Sequence, residues 1–403
     1  MRLDCRVCKG KNLTKVLNLG ETPLANSFLK RYQLHDQETK HPLHLYFCND
    51  CTFVQLGEVV SPELLFRDYL YVSSTSPVFV KHFDDFAGEV CSQYGLKQGD
   101  LVVDIGSNDG ILLKPFKERG MKVLGIDPAV DIAHKARDSD LLTLPMFFNS
   151  KTASEIVKNY GRAKIITATS VFSHVDDLDD FIEGVKMLLA DGGRFIIEVY
   201  HLGSIIQNRY FDMIYHEHLS YFSIRTITHL LERHGLKVEH AQVVNTHGGS
   251  LRVTARRAES ETELKREGPV QEGYGLDKIE TYRNFARSIN DVGNTLLLLL
   301  KNLKKEGYKI AGYGAPAKST TLLNYFNIDF SILDCVYDDS PLKQGLFTPG
   351  THIKILNPDK EWTHPDYILI LAWNFAEPIM KKLRDKGYRG KFIVPLPEPR
   401  VVE

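Results

Sequence analysis

The sequence predicts an α/β chain: two parallel-sheet units preceded by a small segment built on cysteine knuckles. Three observations carry this. From about residue 80, apolar strands alternate with helical patterns, which implies parallel sheets covered by helices on both faces. Two glycine loops, Asp104-Ile105-Gly106-Ser107-Asn108-Asp109-Gly110 and Gly312-Tyr313-Gly314-Ala315, each follow such a strand. Ahead of both stand Cys5-x2-Cys8 and Cys48-x2-Cys51. At 403 residues the chain exceeds one compact core. The expected division is a cysteine segment over 1–75, a Rossmann-like domain over 76–274, and a connector helix with a second Rossmann-like domain over 275–403.

The elements follow in order. Two C-x2-C knuckles separated by 39 residues, in a chain without an export signal, read as one tetrahedral zinc site rather than two disulfides. Cys5, Cys8, Cys48 and Cys51 leave no open position, so that zinc is structural. Cys91 and Cys335 read as small buried hydrophobes. Strands are expected at 101–105, 122–126, 164–168, 193–199 and 250–256, with helices at 110–119 and 178–190 and a turn at Asp191-Gly192-Gly193. Ile279, Tyr282, Phe285, Ile289, Val292, Leu296, Leu299 and Leu303 recur at three- and four-residue spacing and mark a long helix over 275–306. It stops at Glu306-Gly307. Strands at 308–313, 333–337, 367–373 and 391–395 build the last sheet.

Composition narrows the function. The chain is 43% hydrophobic and 25% charged, with a formal net charge of −1. No dense Lys/Arg run marks a nucleic-acid footprint. No apolar run reaches the roughly 20 residues that span a bilayer, and the N-terminus lacks the apolar stretch of a signal peptide. The expectation is a cytoplasmic protein, monomeric or weakly oligomeric, with no nucleic-acid or membrane partner.

The first glycine loop points to a cofactor. A strand runs into a glycine turn, and the next strand, Val123-Leu124-Gly125-Ile126, ends on Asp127, placed to accept ribose hydroxyls. A dinucleotide site would read G-x-G-x-x-G and offer a helix N-terminus to a pyrophosphate. Here Asp104 precedes the first glycine and Asp109 lies within the loop, and two carboxylates repel a pyrophosphate. They suit a cation bearing an amine, which S-adenosylmethionine is. The candidate donor-binding residues are Asp104, Gly106, Ser107, Asn108, Asp109, Gly110 and Asp127. The second loop leads to Lys318 and reads either as a phosphate cradle or as a plain tight turn.

Between the loops lies Arg209-Tyr210-Phe211-Asp212-Met213-Ile214-Tyr215-His216-Glu217-His218. Ionisable groups in an aromatic stretch are costly to bury without purpose. The H-E-H triplet lacks the four-residue histidine spacing of a zinc protease. It suits acid/base work or a structural network between domains. His174, beyond the strand at 164–168, is either structural or part of the site.

These pieces together resemble one family. Cys5-x2-Cys8, Leu17-Asn18-Leu19-Gly20, Pro23-Leu24-Ala25-Asn26, Cys48-x2-Cys51, Tyr69-Leu70-Tyr71-Val72-Ser73-Ser74, the Asp104–Gly110 loop, Val171-Phe172-Ser173-His174, Tyr215-His216-Glu217-His218, His247-Gly248-Gly249-Ser250-Leu251-Arg252 and Gly312-Tyr313-Gly314-Ala315 occur in its order. The chain looks like the zinc-containing, S-adenosylmethionine-dependent C-methyltransferases of nucleotide-linked deoxysugars. The resemblance implies a thymidine-diphosphate 4-keto sugar methylated at carbon 3, with the sugar held by the C-terminal domain. It also implies His218 as general base, with Glu217 and Tyr215 orienting it and Tyr69 and His174 completing the site. Arg252, Gly312, Gly314 and Lys318 then face the nucleotide, although Arg252 equally suits an ion pair. Pro316 removes a backbone donor from the second loop, which leaves uridine or guanosine diphosphate open. The competing readings are a sugar-nucleotide oxidoreductase, and a zinc-ribbon methyltransferase of nucleic acid or protein.

Overall fold

A computed structural model describes residues 2–67, 73–75, 77–246, 248–260, 263 and 272–403. Its strands run β1 (Leu13–Thr22), β2 (His41–Cys48), β3 (Val54–Leu56), β4 (Leu101–Ile105), β5 (Lys122–Ile126), β6 (Thr143–Leu144), β7 (Ala163–Thr169), β8 (Leu189–Tyr200), β9 (Ser220–Tyr221), β10 (Leu236–Val244) and β11 (Ser250–Arg257). The C-terminal strands are β12 (Ile310–Tyr313), β13 (Cys335–Tyr337), β14 (Ile355–Leu356), β15 (Tyr367–Ile370), β16 (Lys391–Val394) and β17 (Arg400–Val402). They form three sheets, ordered β1-β2-β3-β9, β10-β11-β8-β7-β4-β5-β6 and β14-β13-β12-β15-β16-β17.

The α/β class with Rossmann-like parallel sheets is as the sequence predicts, with three corrections. The middle sheet is mixed: β11 pairs antiparallel with β8, and β10 forms a hairpin onto β11. The tight return at Val244–Ser250 forces this, because a parallel neighbour needs a long crossover. Asp191-Gly192-Gly193 is no turn between elements. Leu189 pairs with Ala163 and Arg194 with Ile165, so the extra residues bulge inside β8. Third, β9 comes from the middle of the chain yet completes the N-terminal sheet, with Val54 opposite Tyr221 and Gln55 opposite Ser220.

The parallel parts of both sheets reverse their strand order beside the strand that carries a glycine loop. In the middle sheet the reversal lies between β4 and β7, and in the last sheet between β12 and β15. Ligands of open α/β sheets bind at such points. The first loop and His174 stand at one, Gly312–Gly314 and Trp373-Asn374 at the other.

The helix Ile279–Lys305 buries Tyr282, Phe285, Ile289, Val292, Leu296, Leu300 and Leu303. These residues join one core with Leu43, Leu45 and Phe47 of β2 and with the C-terminal sheet. The opposite side of the N-terminal unit, with Cys5, Cys48 and Phe53, belongs to the core of the middle sheet. The N-terminal unit therefore joins its two neighbours through apolar burial that neither could complete alone.

The four cysteines meet there. Their sulfurs lie within 4.8 Å of one another, with Cys5–Cys51 at 3.5 Å and Cys8–Cys48 at 3.6 Å. A tetrahedron with metal–sulfur bonds of about 2.3 Å has edges near 3.8 Å, so this set fits a structural zinc. Each knuckle closes identically: Lys9 N–H donates to Cys5 O and Thr52 N–H to Cys48 O, with Lys9 and Thr52 both in the left-handed region. Inside the first knuckle, buried Arg6 donates Nη1–H to Leu56 O at 2.7 Å and Leu219 O at 3.3 Å, and Nε–H to Asp176 at 2.9 Å. Zinc thus reaches the segment before β9 through Arg6. We expect one zinc per chain by elemental analysis. In Cys48→Ser the metal should be lost and the melting temperature should fall by roughly 10 °C or more.

Candidate active site

The first glycine loop is shaped by its neighbours. Gly106 N–H donates to Ile126 O at 2.7 Å, and Asp127 accepts the N–H groups of Asn108 and Ala129, both at 2.9 Å. Gly110 has φ +82°, and a Cβ there would collide with Leu141, so only glycine fits. Ser73 N–H caps the Asn108 side chain at 2.9 Å, and Ser74 N–H reaches Asp109 at 3.3 Å. Asp104 is buried at the end of β4 and accepts the Thr167 hydroxyl at 2.6 Å. Burial pushes its carboxyl up to about 7, against that hydrogen bond. Ser107 Oγ and Asp109 Oδ1 are buried without a protein partner. Carboxylates, orphaned oxygens and a clear backbone approach suit a ribose-bearing cation, and S-adenosylmethionine fits this loop.

The H-E-H triplet divides its tasks among three directions. His216 Nε2–H donates to His41 O at 3.2 Å and Pro42 O at 3.3 Å, pinning the segment to β2. Burial lowers its pKa to about 4, so this ring stays neutral. Glu217 is buried and accepts Asn26 Nδ2–H at 2.7 Å. His218 is buried with Nδ1 at 2.7 Å from Met213 O. A carbonyl only accepts, so Nδ1 carries the proton and the basic lone pair lies on Nε2.

Aromatic rings surround His218. Tyr215 lies at a centroid distance of 3.9 Å, Tyr200 at 4.6 Å, and His174 at 5.2 Å in a stacked orientation. Phe66 also stacks on His174, at 5.3 Å. Burial lowers the His174 pKa to about 4, and its Nε2 has no protein partner. His174 and Tyr215 thus come together with His218, while Glu217 turns to Asn26. Tyr69 and His247 lie outside the described residues. Asn26 and Tyr200 were not expected to take part. Asn26 lies in a recognised motif, while Tyr200 closes β8 with no local signal.

The second loop repeats the first in construction. Gly314 N–H donates to Tyr337 O at 2.7 Å, and Asp338 accepts the N–H groups of Ala315 at 2.6 Å and Ser340 at 2.8 Å. Buried Lys343 donates to Ala315 O at 2.8 Å. Lys318 takes another direction: it donates to Asn374, lies 4.6 Å from the Trp373 ring and faces buried Asp212. Burial pushes the Lys318 pKa down, and Asp212 opposes that. Arg252 finds partners around its own sheet, Glu198 and His82 among them, with Glu89 at 3.2 Å and the Phe86 ring beneath it. The structure therefore gives it an ion-pair role and does not bring it to the second loop. Among the described residues, no helix is long and apolar enough to cross a membrane.

Comparison with known proteins agrees with this layout. Residues 5–66 match a family described as a putative zinc binding domain, 82–241 a methyltransferase domain, and 245–397 a C-methyltransferase C-terminal domain. The C-methyltransferase NovU of Streptomyces niveus is 36% identical over 99% of this chain and 96% of its own length. A ubiquinone biosynthesis O-methyltransferase of Rhodopseudomonas palustris (strain HaA2) is 33% identical over 25% of this chain and 39% of its own. Magnesium protoporphyrin IX methyltransferase of Synechocystis PCC 6803, solved with bound S-adenosylmethionine, aligns with 44% of this chain and 79% of its own at 15% identity and a TM-score of 0.34. On the full-length match, the chain belongs to the S-adenosylmethionine-dependent C-methyltransferase family that includes NovU.

Proposed function

We propose that the acceptor is a nucleotide-linked 4-keto-6-deoxysugar, carried on thymidine diphosphate and methylated at carbon 3, in deoxysugar biosynthesis. The observation that carries this reading is the His218 tautomer: Nδ1–H is committed to Met213 O, which puts a basic lone pair on Nε2 inside a ring of aromatic groups. Carbon next to a ketone is nucleophilic only after losing a proton, and O- or N-methylation of an acidic group needs no such base. The second glycine loop, at the switch point of the C-terminal sheet, supports a nucleotide as the handle of the acceptor. Low net charge and the absence of a basic run speak for a small molecule over nucleic acid.

The chemistry then assigns each residue a task. His218 Nε2 takes the proton from carbon 3, and the electron pair moves toward the ketone at carbon 4. Met213 O holds the resulting imidazolium, since a hydrogen bond to a charged donor is the stronger one. His174 stays neutral above about pH 4, so its ring places no competing cation beside the base. It and Tyr69 are the candidate donors to the enolate oxygen. Glu217 and Tyr215 orient sugar and base. S-adenosylmethionine in the first loop supplies an electrophilic methyl group on a positively charged sulfur.

Two outcomes test this reading. Methyl-labelled S-adenosylmethionine incubated with a panel of nucleotide 4-keto sugars should label a thymidine-diphosphate 4-keto sugar at carbon 3, read by mass spectrometry. His218→Asn should retain donor binding and lose roughly a hundredfold or more in turnover. Label entering RNA or protein but no keto sugar overturns the proposal.

The second outcome concerns pH. A proton on Asp104 cancels the charge that faces the cationic donor, so affinity must rise as pH passes upward through about 7. Between pH 6 and 8, calorimetry should find S-adenosylmethionine binding tighter by up to about tenfold. Asp104→Asn should bind weakly and without that dependence.

A further inference from the structure

The C-terminal domain grips the turn that precedes the proposed base. Asp212 is fully buried, and its Oδ2 accepts Trp373 Nε1–H at 2.6 Å. Lys318 faces the same carboxylate from the helix Ala317–Tyr325. Two residues on, Ile214 O accepts the Thr321 hydroxyl at 2.8 Å, from that same helix. Between these two anchors lies Met213, whose carbonyl receives His218 Nδ1–H. Trp373 is itself fixed: Tyr210 stacks on it at 4.1 Å, and Gly248 packs so close that a Cβ would lie 2.9 Å from Tyr210 and 3.2 Å from Trp373. The anchors on Asp212 and Ile214 are distant in sequence: Trp373 follows β15, and Lys318 and Thr321 lie on the helix that follows β12.

We propose that Asp212, Trp373 and Thr321 are positioning residues that set the tautomer of His218 from the C-terminal domain. A neutral imidazole carries its proton on either nitrogen, and the partner of one nitrogen decides which. The partner here is a main-chain carbonyl in a short turn, and a turn of this length is rigid only when its flanks are held. Trp373 holds one flank and Thr321 the other. Burial raises the Asp212 carboxyl to about 6, and the nearby Lys318 charge and the Trp373 N–H both oppose that rise and favour the charged form. The helix that follows the second glycine loop thereby contacts the turn that holds the base. The inference rests on His218 acting as the base, and it concerns which nitrogen is protonated.

The test reads that proton directly. Nitrogen-15 shifts of the imidazole, assigned by subtracting the spectrum of His218→Asn, should show the Nδ1–H form alone in the intact protein. Thr321→Val, nearly isosteric, and Trp373→Phe should each give a mixture of tautomers. Turnover should fall roughly tenfold to a hundredfold while KM for the donor stays unchanged. Thr321→Ser should restore both, which a loss of packing alone would not. Thr321→Val carries the test where Trp373→Phe fails to fold. An unchanged Nδ1–H form in folded Thr321→Val overturns the proposal. If the intact protein methylates no keto sugar, the base reading fails, whereas the tautomer measurement still decides the positioning claim.

Discussion

A single hydrogen bond, from His218 Nδ1–H to Met213 O, organises the centre of this molecule. An imidazole among Tyr200, Tyr215 and His174 could turn over or carry its proton on either nitrogen. The carbonyl removes both freedoms. It can do so only because the segment from Phe211 to Tyr221 is held from three sides. β3 pairs with Ser220 and Tyr221, His216 is pinned to the start of β2, and Trp373 and Thr321 clamp the other end. A buried stretch with this many ionisable groups would be unstable as a free loop. It becomes stable as the seam along which three units meet.

Zinc acts at a distance in this arrangement. Its four thiolates fill every coordination position, so the metal offers no site for substrate. Its contribution is geometric: it fixes Arg6 within the first knuckle, and Arg6 holds Leu219 O at the entrance to β9. The carboxylate of Asp176 offsets the charge of that buried guanidinium. On the other side, Asn26 and Ala25 reach Glu217 and the Thr320 hydroxyl. The segment Pro23–Asn26 thus links the proposed site to the helix of the second glycine loop.

Features encoded by short spacing were legible in the sequence. The cysteine knuckles, both glycine loops, the long amphipathic helix and the parallel strands all announce themselves within a few residues. Three kinds of feature did not. The antiparallel hairpin β10–β11 follows from chain reversal, whereas an apolar run reads alike in either direction. The division of His216, Glu217 and His218 among three partners depends on residues 26, 41 and 213, only the last of which is near. Lys318 follows a glycine turn, a common place for a phosphate ligand. Its burial against Asp212 and Trp373 depends on chain more than 50 residues away on either side. Residue types thus marked the candidate groups, and tertiary contacts decided where each one points.

In the proposed reaction His218 removes a proton from the carbon beside the ketone. Hydrogen exchange measures that step alone. In deuterated water, with S-adenosylhomocysteine in place of the donor and a thymidine-diphosphate 4-keto-6-deoxysugar as substrate, the enzyme should exchange the hydrogen at carbon 3 without transferring any methyl group. His218→Asn should exchange at the uncatalysed rate. Exchange in His218→Asn as fast as in the intact enzyme would contradict the account.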